Sequence, residues 1–338
     1  LKSSAFNNWG YTSSRLSWVL YPLSLFYAGF MRLRSYLYEN SHLGKRRLPV
    51  FTVGVGNLTM GGTGKTPFVI GLASALINRG LKVGVISRGY RRKGRKEVLV
   101  SDGETLLVSD PALCGDEPYL IALKTRAFVA VGADRVKAFS LMEGLSPDVV
   151  ILDDAFQHMK VVKDVDFCLI DGTRCWGNGL VFPAGPLREP LSALKRADAL
   201  IMSKAFNPGC LKDVEGVLNR APVFFFFPGI SHFLNRGKRV PPPSKGVVVT
   251  CVANYQNFVD ELKRMGVEVT GLKVFPDHHR FGVKEFEDVG NGNIILTEKD
   301  WVNLPSSLKE SERVFVAVQD AEIPEELLEF LGERLAFR

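Results

Sequence analysis

The 338-residue chain has little cysteine, little histidine and no apolar run long enough to cross a bilayer. Its five cysteines, at 114, 168, 175, 210 and 251, are odd in number and widely spread. There is no Cys-x-x-Cys, and no Cys/His spacing fits zinc, so a zinc ribbon is excluded and free thiols in a reducing compartment are the expectation. No internal repeat or long low-complexity stretch occurs, which removes solenoid and linker-dominated architectures. The longest apolar stretch runs from Trp18 to Met31. As a helix its fourteen residues rise about 21 Å, short of a hydrocarbon core of about 30 Å. A signal peptide fits poorly, because Arg32 and Arg34 follow the apolar run and no small-residue cleavage site is evident.

What is present has the composition of a soluble globular protein with an apolar lean, at 46% hydrophobic and 23% charged, and a length that suits two domains. A net charge of +7 favours anionic partners such as nucleotides, phosphorylated substrates, nucleic acid or anionic lipid. Two readings stand for the aromatic-rich N-terminus. It is a helix lying in a membrane interface, with aromatics at headgroup level and arginines on lipid phosphates, or an ordinary helix covering the core. The basic cluster Lys45-Arg46-Arg47 nearby favours the interface.

Residues 50 to 79 organise the rest. A β-branched apolar run at 50–55 predicts a strand. A loop of Thr59, Met60, Gly61, Gly62, Thr63 and Gly64 follows, then Lys65 and Thr66, then apolar residues at helical spacing (Val69, Leu72, Ala73, Leu76). Strand, glycine loop, Lys-Thr and helix is the context of a P-loop that binds the phosphates of ATP. Glycines let backbone N–H groups curl around phosphate oxygens, and the helix N-terminus adds partial positive charge. Lys65 reaches the β- and γ-phosphates, and the Thr66 hydroxyl holds Mg²⁺. The usual pattern has Gly where Thr59 stands, so this loop enters its turn differently. Pro67 suits a first helical turn.

Beyond the P-loop, short apolar runs at 83–87, 98–101, 128–131, 149–152, 167–170 and 199–202 alternate with helical stretches at 117–124 and 134–142. That alternation predicts an α/β fold of the P-loop NTPase type, a mainly parallel sheet with helices on both faces. Ligands in such sheets sit at the carboxyl ends of strands, where the chain places residues 61–66, Arg88, Asp153 and Asp171. Pro241-Pro242-Pro243 marks a boundary. The expected division is an N-terminal interface segment at 1–47, a P-loop core at 48–222, a β linker at 223–244 and a smaller α/β unit at 245–338.

Asp153 and Asp154 close an apolar strand in the Walker B manner, which places a carboxylate beside the P-loop to hold Mg²⁺. Successive strand residues point to opposite faces, so which of the two serves the metal stays open. Gly115-Asp116-Glu117-Pro118 opens a helix. Asp116 reads either as part of a helix start or as a base taking a proton from an attacking hydroxyl. Asp277-His278-His279-Arg280 lies in the second unit. Adjacent histidines do not share a helix face, so zinc is not expected. A His reaching a carboxylate across a cleft would orient it and tune its pKa. Six cations between Arg88 and Lys96, and Arg188-Glu189 in a Gly/Pro loop, sit where an acidic substrate would be held. Asn57, Arg88, Arg188 and Glu189 are the expected substrate-binding set.

Taken in order, GNLTMGGTGKTP, SRGY, GDEP, LDDAFQH, GPLRE, FPDHHRF and TEKD resemble the tetraacyldisaccharide 4′-kinases of lipid A synthesis, over nearly the whole chain. The resemblance implies transfer of the ATP γ-phosphate to the 4′-hydroxyl of a tetraacylated glucosamine disaccharide 1-phosphate, at the cytoplasmic face of the bacterial inner membrane. It implies two α/β/α domains with a two-stranded linker, Asp116 as base with His278 as its partner, and Arg188 and Glu189 in the active site. Family loops of this kind accept Thr at position 59. Two other functions stay open on the residues alone. One is a membrane-docked regulatory P-loop ATPase without a lipid acceptor. The other, ranked last, is a nucleic-acid ATPase; no nucleic-acid partner is expected, because the basic residues cluster beside aromatics and line no long groove. Neither Ser203-Lys204-Ala205-Phe206 nor Thr297-Glu298-Lys299-Asp300 fits the guanine-reading Asn-Lys-x-Asp, so a GTPase is not favoured.

Overall fold

The structure, a computed structural model, describes residues 15–40, 42–218, 221–252, 255–320 and 322–336. Residues 1–14 of the expected interface segment lie outside these. Among the described residues the strands form two sheets. The first runs β3 (Val98–Asp102), β4 (Phe128–Val131), β2 (Val83–Ser87), β5 (Val149–Asp153), β1 (Phe51–Asn57), β6 (Val165–Asp171), β7 (Ala199–Ser203), β8 (Val223–Phe226). All its pairings are parallel except that of β3 with β4. The strand feeding the P-loop is central, between β5 and β6, and every residue in it is buried. Burial on both faces is why these strands read as unbroken apolar runs. The sheet accepts glycine inside β1 for a steric reason. A Cβ at Gly56 would lie 2.4 Å from the backbone nitrogen of Phe156, so only glycine lets the turn after β5 pack against the P-loop strand.

The second sheet runs β10 (Lys238–Val240), β9 (Gly229–Asn235), β14 (Val314–Asp320), β13 (Ile294–Thr297), β11 (Lys245–Thr250), β12 (Glu268–Val274). The expected linker is therefore divided. Residues 223–226 are the edge strand of the first sheet, and β9 and β10 form an antiparallel pair that joins the second sheet through β14. The crossing falls at Phe227-Pro228, and the triple proline connects β10 to β11 within the second sheet. Residues 223–226 and β9 are satisfied by strand partners in two different sheets, a division that the expected β linker did not anticipate.

The helix Glu325–Ala336, expected with the second unit, sends Leu327, Leu328 and Leu331 into the buried core that also holds Phe68 and Phe167 of the P-loop lobe. Lys284–Val289 is a 3₁₀ turn. The free-thiol expectation is also corrected. Cys175 and Cys210 form a disulfide, their Cα atoms 5.1 Å apart, whereas Cys114, Cys168 and Cys251 are free and buried. A separation of 35 residues carries no signal in sequence; the ends of β6 and β7 bring the two together.

The N-terminal helix is longer than its apolar run, Arg15–Glu39, with Pro22 inside. At 25 residues it spans about 37 Å. No helix among the described residues is both long and apolar enough to cross a membrane. Its buried residues are Ser17, Ser24 and Met31, while Trp18 and Phe26 stand 72% and 81% exposed. Ser24 Oγ donates to the Val181 carbonyl at 2.5 Å, and Arg34 donates to the Gln157 carbonyl at 2.9 Å. The helix thus docks by these polar contacts together with Tyr27, Ala28 and Met31, and leaves Trp18, Phe26 and Phe30 outside.

Candidate active site

The loop after β1 is held from two sides. Its entry runs antiparallel to the Gly/Pro loop: Thr59 bridges Leu187, Met60 N–H donates to the Pro186 carbonyl at 2.8 Å, and Arg188 N–H donates to the Leu58 carbonyl at 2.7 Å. An extended, bridged residue tolerates a β-branched side chain, which explains Thr59 in place of glycine. Gly64, at φ 82°, turns the chain into the helix Lys65–Asn78. From below, Ser203 Oγ donates to the Thr63 carbonyl at 2.8 Å, and Lys204 bonds the Gly62 carbonyl while pairing with Asp171 at 2.6 Å. Sequence reading missed these two anchors. The signal available was a polar pair closing an apolar strand at the carboxyl edge.

Lys65 is oriented within the loop. Its ammonium donates to Asn57 Oδ1 at 3.0 Å and lies 3.4 Å from Asp154 Oδ1. Asn57, expected at the substrate, is fully buried, and its amide also donates to the Thr59 carbonyl at 2.6 Å. Both ends of its side chain are used inside the loop, so it positions Lys65.

The Walker B pair separates into two roles. Asp153 is buried and accepts from Ser87 Oγ at 2.9 Å. Burial, with Glu117 and Asp154 nearby, pushes its carboxyl up to about 7. Asp154, at φ 49°, turns its carboxylate onto Arg188 at 2.9 Å and Lys65. Burial opposes its charge, yet those two cations hold it down at about 2. Asp154 is committed to cations, which leaves Asp153 as the carboxyl of the pair without an ion-pair partner among the described residues. Thr66 sits in the first turn of the P-loop helix.

Arg188 and Glu189 part company in the same way. Arg188 remains at the P-loop. Glu189, expected with the substrate set, is buried and paired with Arg196 at 2.9 Å; Arg196 also lies over the Phe156 ring and donates to Ser35 of the N-terminal helix. Glu189 is bound into the scaffold because its charge finds a half-buried guanidinium. Arg88 is exposed beyond β2.

Asp116 stands in the first turn of the helix Asp116–Lys124, where the helix dipole favours an anion. His278, from the loop after β12 in the second lobe, brings Nδ1 to 2.8 Å from Asp116 Oδ2. Its Nε2 lies 3.3 Å from Asp277 Oδ2. The hydrogen bonds to Asp116 and Asp277 raise His278 to about 9, against burial and the charge of Lys299. Burial pushes Asp116 up, but bonds from His278 and Asn303 and the charge of Lys299 outweigh it and hold the carboxyl below its ordinary value. The cross-cleft pairing expected from sequence is present. The arrangement is an ionised carboxylate with an imidazolium behind it, beside a phosphate loop with its lysine, a partly neutralised arginine and an acidic strand end. That constellation suits phosphoryl transfer to a hydroxyl.

A family model described as LpxK, tetraacyldisaccharide-1-P 4′-kinase, matches residues 16–336. The chain belongs to this family. Curated relatives named tetraacyldisaccharide 4′-kinase include one from Desulfotalea psychrophila, 37% identical over 309 residues, covering 85% of this chain and 87% of the relative. One from Haemophilus influenzae is 35% identical over 298 residues, covering 88% and 86%. A crystal structure of LpxK from Aquifex aeolicus, in complex with ATP, superposes with a TM-score of 0.77 at 32% identity, over 95% of this chain and 99% of that one. The family places the chain among kinases, and the fold class expected from the P-loop and its alternating strands is the one observed.

Proposed function

We propose that the chain transfers the γ-phosphate of ATP to the 4′-hydroxyl of a tetraacylated glucosamine disaccharide 1-phosphate, and that it works at a membrane surface, on the cytoplasmic face of the bacterial inner membrane. The observation that carries this reading is the Asp116–His278 pair closed across the two lobes next to the P-loop. A regulatory ATPase needs the loop but has no use for a carboxylate braced to receive a hydroxyl proton. In this reading residues 61–66 cradle the triphosphate, Lys65 and Arg188 neutralise its charge, and Asp116 orients the acceptor hydroxyl and takes its proton.

Asp153 and Thr66 are the residues that would hold Mg²⁺. A buried carboxyl with surplus negative charge around it fits a cation, and Mg²⁺ sites of this class use one or two protein groups with phosphates and water. Bound there, Mg²⁺ supplies neutralisation of the β- and γ-phosphate oxygens. The membrane reading rests on the outward aromatics of the N-terminal helix, whose inner face docks beside Gln157 and Arg196 at the site. An acylated acceptor would then meet the cleft without leaving the bilayer.

The test is incubation with labelled ATP, Mg²⁺ and the acylated disaccharide 1-phosphate in mixed micelles. Label on the lipid sugar, with the matching mass increase, is the expected result. Label appearing only as free phosphate would overturn the reading in favour of a regulatory ATPase.

A further inference from the structure

The four residues Thr297-Glu298-Lys299-Asp300 divide their work two and two. Thr297 and Asp300 form a reciprocal capping box that starts the helix Glu298–Val302, and Asp300 also accepts from Cys251 N–H at 2.8 Å. That fixes the helix to the second sheet. Glu298 and Lys299 then reach across to the helix carrying Asp116. Glu298 meets Lys124 at 2.9 Å, and Lys299 meets Glu117 at 3.4 Å. Glu117 and Lys124 are two helical turns apart on one face.

Lys299 makes a second contact, with Asp277 Oδ1 at 3.3 Å. The other oxygen of Asp277 faces His278 Nε2, and His278 Nδ1 faces Asp116. The charges alternate along the whole path, and its two ends, Asp116 and Glu117, are neighbours in one helical turn.

We propose that Lys299 is a positioning residue for phosphoryl transfer: it closes the path Glu117–Lys299–Asp277–His278–Asp116 and so holds the Asp116 carboxylate in register across the cleft. Without its ammonium, three carboxylates from two lobes share one imidazolium, and Asp277 loses the charge that seats it. His278 occupies the left-handed region at φ 64°, a conformation that persists only where its surroundings over-determine it. Those surroundings are the Asp277 and Asp116 carboxylates, the Tyr90 ring at 5.5 Å, and Arg91, which donates to the Asp277 carbonyl at 2.8 Å. The groups facing Asp116 are His278 from the loop, Lys299 and Asn303 from the second-lobe helix and its end, and Cys114 from its own segment. Loss of Lys299 and looseness of His278 both make the Asp116 anion less favourable, so the two effects have one sign.

This inference rests on the reading of Asp116 as the base. The experiment therefore measures phosphate transfer to the acylated disaccharide 1-phosphate by the wild-type chain first, then by Lys299→Met, Lys299→Arg and Lys124→Met. Lys299→Met should lower kcat about tenfold or more, leave KM for ATP within about twofold, and move the acid limb of the pH profile upward by about half a unit or more. Lys299→Arg should recover most of the rate. Lys124→Met, which loses the neighbouring bridge between lobes but no link to Asp116, should leave the acid limb in place. An unmoved acid limb in Lys299→Met, or an equal shift in Lys124→Met, overturns the proposal while the kinase reading stands. Absence of wild-type transfer sinks both. Should Lys299→Met not fold, Asp277→Asn cuts the same path from its other side; it should shift the limb likewise, and no shift overturns the proposal.

Discussion

At the scale of single residues, the site sorts carboxylates by the company each keeps. Asp154 has two cations in contact, Glu189 has a half-buried arginine, Asp153 has a serine hydroxyl and no ion pair among the described residues, and Asp116 has a histidine from the other lobe. That sorting assigns roles that four similar side chains do not announce. Asp116→Ala should lower turnover by about 10² to 10⁴ while nucleotide binding changes little, since a general base contributes in that range and touches no part of ATP. Titration calorimetry with a non-hydrolysable nucleotide beside steady-state assay checks it; near-normal turnover would dismiss Asp116 as base.

The His278 bridge also predicts a pH dependence of stability. Its folded pKa, about 9, lies above the ordinary 6.5, so the native state holds the proton more tightly than the unfolded chain. The bridge's contribution is complete below 6.5 and is lost as pH rises through 9. Wild-type protein should lose thermal stability across that window, and His278→Ala should lack that component. Parallel melting curves for the two across the window would contradict the bridge.

At the scale of elements, the N-terminal helix keeps its largest rings outward, as the interface expectation required. Its sequence is apolar enough to be a core helix, yet its inner face is mixed, with Ser24, Tyr27, Ala28 and Met31, and the solvent side keeps Trp18, Phe26 and Phe30. Ordinary burial would reverse that. Trp18→Ser with Phe26→Ser should therefore leave the melting temperature nearly unchanged, because those rings contribute no core packing. The same pair should weaken binding to vesicles of anionic phospholipid by tenfold or more, given about 1.5–3 kcal/mol for each large apolar side chain withdrawn from an apolar phase. Flotation with liposomes measures the second effect. Undiminished flotation would remove the helix from any membrane role. The P-loop makes the opposite case: its entry is an extended bridge to the loop holding Arg188, so the phosphate cradle and its arginine are built as one unit.

At the scale of the molecule, the lobes are tied by more than a hinge. The ion pairs between the helices Asp116–Lys124 and Glu298–Val302 close one side. The C-terminal helix closes another by placing Leu327 and Leu331 in the core of the P-loop lobe, with Glu325 on Arg79. Leu331→Ala should cost about 2–5 kcal/mol, the range for truncating a buried leucine. Because that leucine belongs to the first core through a segment of the second half, the loss should lower the main unfolding transition in calorimetry. A drop confined to a separate second-lobe transition would show that the helix does not join the lobes.

Local chemistry was written in the chain. A strand, a glycine turn and Lys-Thr before an amphipathic segment leave few alternatives, because backbone amides, a helix end and one ammonium make a phosphate site wherever they follow in that order. Alternating short apolar runs likewise announced the parallel sheet, since strands buried on both faces leave no polar positions. The family resemblance put Asp116 and His278 forward as partners, where the residues alone said only that a histidine could reach a carboxylate across a cleft. What the sequence could not supply was any relation set by distance in space alone: Asn57 turning to Lys65, Asp154 to Arg188, Glu189 to Arg196, Cys175 to Cys210, and the division of 223–240 between two sheets. Each of those depends on which groups the folded chain brings within a few ångströms. A charge or thiol commits to whichever partner the packing offers, and spacing along the chain does not say which that will be.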